Sequence, residues 1–160
     1  MGLFKKKQKE ENSYVENRVF GKVFLLGSWH TVDKFEVSAL GRTYSVMFTM
    51  LISGTDEPIS GQQEVAGEDF LKNMNTYMDL FEKEIKRVFA NTDEEELSEA
   101  LKVNGVFFSK DGKIGIDCSV DLDMGYLEEC GIGPDENFGS AVAPSVRLLP
   151  SSEEFLDYFG

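Results

Sequence analysis

The chain has 160 residues, 41% of them hydrophobic and 12% aromatic, which suits one packed domain and excludes a disordered chain. Sixteen Lys and Arg against 29 Asp and Glu leave a net charge of −13, a field that repels a nucleic-acid backbone and attracts cationic proteins, besides favouring solubility. No apolar run reaches transmembrane length, and Cys118 and Cys130 form neither a CxxC pair nor a dense disulfide framework, so the expectation is a reduced, cytoplasmic protein with no membrane partner.

The N-terminal MGLFKKKQKEEN has too short an apolar segment for a signal peptide, and Lys6 stands where a myristoylation motif needs Ser or Thr. Lys5, Lys6, Lys7 and Lys9 mark residues 1–13 as a mobile basic tail, leaving 14–160 as a single α+β domain. Val19–Leu26 is β-branched and aromatic and ends at Gly27-Ser28. Phe35, Val37 and Ala39 alternate with Glu36 and Ser38, the pattern of a half-buried strand. Beyond Gly41, Tyr44, Val46, Phe48, Met50 and Ile52 fall on one face of a third strand, with Ser45, Met47, Thr49 and Leu51 on the other. Short connections predict an antiparallel meander. Ser53–Gln63 is a loop by its Gly, Pro, Ser and Asp content.

Residues 65–90 predict one long amphipathic helix. Phe70, Met74, Tyr77, Met78, Phe81, Ile85, Val88 and Phe89 recur at spacings of three and four, while Lys72, Asn73, Asp79, Glu82, Lys83 and Lys86 fall outside the stripe. Packed across the antiparallel sheet, this helix makes a two-layer unit. Thr92 and Glu95 form a capping box for a second helix through about Lys102, closed by Asn104-Gly105. Asp111-Gly112 marks a later hairpin between Val106–Ser109 and Lys113–Val120. Residues 121–140 are turn-rich, Ala141–Leu149 reads as a last strand at an edge or bulge because of Pro144, and Ser151 with Glu154 caps a short helix whose Phe155, Tyr158 and Phe159 pack back.

Candidate chemistry is sparse. His30, the only histidine, neighbours the only tryptophan, Trp29, but no nucleophile and orienting acid are singled out for it; the pair reads as a turn between strands, with Trp29 packed over an edge or exposed for binding. Gly131-Ile132-Gly133-Pro134 lacks the third glycine of a dinucleotide fingerprint, since Glu136 stands there, and no cofactor is implied. One His and two distant Cys make no zinc signature. From Ile114 to Val146 there is no Lys or Arg, yet Asp117, Asp121, Asp123, Glu128, Glu129, Asp135 and Glu136 all occur. Their oxygens suit a hard cation, but counting from Asp121 puts Tyr126 and Ile132 where an EF-hand needs Gly and Glu. The same acids, with Trp29, suit contact with a basic protein.

The order of elements carries a resemblance. A turn at Ala39-Leu40-Gly41-Arg42-Thr43, then Gln62 or Gln63 leading into a long helix with Phe70 and Phe81, then IGIDCSVD and an acidic turn, resembles small acidic bacterial domains of unknown function. Some of these sit near polymorphic toxin genes and are regarded as immunity proteins. The likeness spans residues 18–140; the turn reads Asp123-Met124-Gly125 where Asp/Glu-His-Gly is expected, and no catalytic residue is carried over. The expectation is therefore a non-catalytic binding protein, in its most specific form an immunity-like inhibitor of a basic toxin. A calcium-binding module using 117–136, or an enzyme with a site near His30, are the alternatives.

Overall fold

Nine strands form one sheet in the computed structural model, which describes residues 14–132 and 137–159. The tail expected over residues 1–13 lies outside the described residues, as do Asp135 and Glu136. In chain order come β1 (Val15–Asn17), β2 (Gly21–Leu26), β3 (Ser28–Thr31), β4 (Phe35–Ala39), β5 (Arg42–Met50), α1 (Gly61–Lys72), α2 (Met74–Val88) and α3 (Glu94–Ala100). Then follow β6 (Leu101–Phe108), β7 (Ile114–Val120), α4 (Met124–Glu129), β8 (Asn137–Ala143), β9 (Arg147–Leu149) and α5 (Ser152–Phe159). Across the sheet the order is β1-β2-β3-β5-β6-β7-β8-β9, with β4 also paired to β5. The class is α+β, and the sheet is mostly antiparallel.

Local chemistry explains the first turns. Asn17 Oδ1 accepts from the backbone N–H of Val19 and Phe20, at 2.8 and 3.0 Å, and bends the chain between β1 and β2. Ala39 pairs with Arg42 across a two-residue turn in which Leu40 (φ 52) and Gly41 (φ 77) are both left-handed, the backbone twist that a tight hairpin requires. Trp29 and His30, read from sequence as a turn, are instead strand residues. Leu26 pairs with Ser28 around Gly27 (φ 73), so the turn falls two residues earlier and frees β3 to pair with β2 and β5.

β5 and β6 run parallel, from Met47↔Gly105 to Met50↔Phe108. This departs from the expected antiparallel meander plus hairpin, and the reason is the connection. Residues 51–100 carry three helices over one face and return the chain to the end where β5 began. The β6–β7 hairpin forms as its Asp-Gly predicts, with Gly112 at φ 90 and the Lys113 N–H donating to Ser109 Oγ at 2.8 Å.

The long helix over 65–90 is two helices. The Asn73 side-chain amide donates to the Asp69 carbonyl at 3.2 Å and to its carboxylate at 2.9 Å, so a side chain competes for groups the helix would use and the axis breaks there. The stripe still does its work on both pieces: Phe70, Met78, Phe81, Ile85 and Phe89 are buried against the sheet's main core. α1 begins with a capping box of Ser60 and Gln63. Gln63 is fully buried, and its Nε2 also donates to the carbonyls of Leu51 (2.6 Å) and Phe108 (3.1 Å), pinning the helix to the ends of β5 and β6.

Two further expectations are corrected. The helix after Thr92 stops at Ala100, and Asn104-Gly105 lies inside β6 at a register shift instead of capping a helix. The apolar alternation of Leu101, Val103 and Val106 continues the sheet and outweighs the Asn-Gly turn signal. The packing is not two-layered either. Val106 and Phe108 belong to the main core with α1 and α2, whereas Phe107 packs with Phe155 and Phe159 of α5 in a second cluster. Neighbouring strand residues face opposite ways, so α5 lies on the far side of the sheet. Glycines admit it there: a β-carbon on Gly115 or Gly139 would come within 2.2 Å of Phe159 or 2.3 Å of Phe155.

Candidate functional site

β7 reads Ile114-Gly-Ile-Asp-Cys-Ser-Val120. Ile114, Ile116, Cys118 and Val120 enter the main core, which turns Gly115, Asp117 and Ser119 to the other face. Asp117 pairs with Gly105 on one side and Gly139 on the other, so neither neighbour supplies a side chain and the carboxylate lies low between two backbones. Burial pushes its pKa up to about 6, against a smaller lowering by the Cys118 N–H. Burial also raises the Cys118 thiol well above its usual value, with the Asp117 charge adding to the effect.

The remaining described acids follow β7 at its C-terminal end. The Asp121 N–H donates to the Ala100 carbonyl at 3.0 Å, which ties it to the end of α3. Asp123 caps α4 through the Tyr126 N–H, at 3.3 Å. Leu127 is buried, which leaves Glu128 and Glu129 exposed. The Tyr126 ring packs on Phe89, and its hydroxyl accepts from Thr92 Oγ1 at 2.8 Å. Thr92 is thus a bridge to α4 in place of the expected cap. These contacts set α3 beside α4, adding Glu95, Glu96 and Glu99 to the same end of the molecule. The EEELSEA run is plain in the sequence; its neighbour is not.

Charge compensation is uneven across the molecule. On α1 and α2, Glu64 pairs with Arg18 (3.4 Å), Glu68 with Lys72 (3.8 Å) and Glu82 with Lys86 (3.5 Å). Among the described residues at the α3–α4 end, Glu94 alone has a cation, Lys86 at 2.8 Å. Asp117, Asp121, Asp123, Glu128 and Glu129 have none within ion-pair distance there. Nor do any three His, Cys, Asp or Glu side chains among the described residues stand close enough to hold a metal ion. The oxygens follow one another along the chain without converging, so the calcium reading gains no geometry.

Trp29 is not brought to this surface. It packs on the main core, and its indole N–H donates to the Glu57 carbonyl at 2.7 Å, bracing the loop before α1. His30 lies on the opposite face of its strand. Its Nε2 is 3.1 Å from the Leu26 carbonyl, which can only accept, so Nε2 carries a proton, and Nδ1 is hydrogen-bonded to Thr49 Oγ1 at 3.0 Å. Both ring nitrogens are committed to holding β2, β3 and β5 together, and Phe24 packs beside the ring. No helix among the described residues is long and apolar enough to cross a membrane. Comparison of the chain with protein families, with curated proteins and with solved structures finds no match.

Proposed function

We propose that this is a non-catalytic binding protein whose acidic end, built from Asp117, Asp121, Asp123, Glu128 and Glu129 with α3 alongside, engages a cationic protein. The observation that carries the reading is the uneven compensation: four carboxylates on α1 and α2, Glu64, Glu68, Glu82 and Glu84, have a lysine or arginine of their own, whereas among the described residues at the α3–α4 end only Glu94 does. An exposed, uncompensated patch attracts its partner over a distance and leaves no internal pair to break on contact. An immunity-type inhibitor of a basic toxin is the specific form of this reading, in keeping with the element order. The committed ring nitrogens of His30 support a non-catalytic role. The unpaired Cys118 and Cys130 suit the reducing cytoplasm as the place of action.

The test is an NMR titration of the labelled protein with an oligo-arginine peptide, and with oligo-glutamate as control. Shifts concentrated on Asp121–Glu129 and α3 support the proposal. Shifts of equal size at Lys110–Lys113, the other end of β7, would remove its basis.

A further inference from the structure

A cleft of about 620 Å³ opens between α1 and the β6–β7 hairpin, at the end of β7 away from the acidic patch. Its volume suits a small ligand. The apolar lining comes from Val65, Ala66, Ile114, Ala143 and Pro144. Val65 is 64% exposed, on a helix whose Ala66 and Phe70 are buried and whose Leu71 is half-buried. Two carboxylates, Asp69 from α1 and Asp111 from the hairpin, stand in the same lining with Tyr77 and Lys113.

The polar groups select the sign of a ligand. Asp69 receives two hydrogen bonds, from the Tyr77 hydroxyl and from Asn73 Nδ2 at 2.9 Å, which fix its orientation. Each oxygen keeps a second lone pair, and no cation lies within ion-pair distance of Asp69 among the described residues. Burial and the Asp69 charge push the Tyr77 pKa up to about 12, so the phenol stays a donor throughout the neutral range. Lys113, the cation of the cleft, is already engaged: its Nζ is 3.6 Å from Asp111, donates to the Tyr158 carbonyl at 3.0 Å and stands 4.7 Å over the Tyr158 ring. An anion would meet two carboxylates and a spent lysine. A cation meets an oriented carboxylate beside an apolar floor, within a chain of net charge −13.

We infer that this cleft binds a small amphipathic amine, its apolar body on Val65, Ala66 and Ile114 and its protonated nitrogen on the Asp69 carboxylate. The site is separate from the acidic end and stands or falls independently of the binding reading above.

The probes are phenethylamine and hexylamine, titrated into the full labelled chain at pH 7 and followed by NMR. The anionic control is phenylacetate. Expected are saturable shifts at Val65, Ala66, Gly112 and Ile114 with either amine and none with phenylacetate. Asp69→Asn keeps an amide oxygen to accept from Tyr77, while Asn73 retains its bond to the Asp69 backbone carbonyl, and should weaken amine binding about tenfold or more through loss of a charge-assisted bond. Glu68→Gln, one residue away and paired to Lys72 outside the cleft, should leave it unchanged. Equal binding of phenylacetate, amine binding indifferent to Asp69→Asn, or no saturable shift with either amine overturns the inference.

Discussion

The ring of Phe20 lies directly on the backbone of Gly67: a β-carbon at Gly67 would stand 2.2 Å from Phe20 Cζ. Phe20 is itself buried, in contact with Phe48 and Phe108, and cannot swing away without opening the core. Glycine inside a helix ordinarily costs about 1 kcal/mol relative to alanine. Here the sign reverses. Gly67→Ala should destabilise by about 1–3 kcal/mol through overpacking. Gly61→Ala, at the start of the same helix with nothing within 4 Å of the added carbon, should be neutral or stabilise slightly. Chemical denaturation of both variants decides it; equal midpoints would mean Phe20 is free to move.

Phe81 sits mid-stripe on α2 and is fully buried. Phe81→Ala should cost about 3–5 kcal/mol, the usual range for a large core truncation. Lys83→Ala, exposed on the same helix, should change stability by less than about 0.5 kcal/mol. Comparable melting shifts for the two would show the apolar face to be wrongly placed.

Asp117 gives stability a pH dependence of definite sign. Its folded pKa of about 6 lies above the ordinary aspartate value of 3.8, so between those values the folded protein holds more protons than the unfolded chain. Stability from this group is therefore fully present below about pH 4 and is lost as pH rises through about 6. Allowing for the part of the carboxyl that water still reaches, the loss is on the order of 1–2 kcal/mol. Asp117→Asn should raise the melting temperature at pH 7 and flatten the slope between pH 4 and 6. A variant less stable than the parent at pH 7 would sink this account.

Charge reversal tests the acidic end kinetically. Asp121→Lys with Glu128→Lys should slow association with an arginine-rich peptide and flatten the salt dependence of the on-rate, leaving dissociation much less changed. Asp123 is left alone, since it caps α4. Glu94 and Glu96 are unsuitable controls, because α3 adjoins α4 and Glu94 is bound to Lys86. Asp56, next in sequence to the Glu57 that pairs with Lys110, and Asp157, beside Lys113, serve instead at the hairpin end. Seven strand residues of β7 separate the two ends by roughly 20 Å, twice the Debye length of about 10 Å at 0.1 M salt. If both double reversals act alike, net charge and not location governs the encounter.

What the sequence determined by itself is whatever a few consecutive residues decide. Asp111-Gly112 makes its hairpin, Ser151 accepts from the Glu154 N–H and starts α5, and the alternation along β5 and β7 assigns each side chain a face. Those outcomes follow from backbone dihedrals, caps and period, which need no partner elsewhere in the chain. Asn73 broke the long helix by an equally local bond, to Asp69 four residues earlier, which the unbroken apolar stripe concealed. The remainder rested on contacts between distant segments. Asn104-Gly105 became strand because β5 and β7 offered hydrogen bonds on both sides, and Trp29 went to the core because the Glu57 carbonyl lay within reach of its indole. The acids of α3 and α4 likewise became one surface only when Thr92 met Tyr126, since two charged runs far apart in sequence carry no record of which end of a sheet they will share.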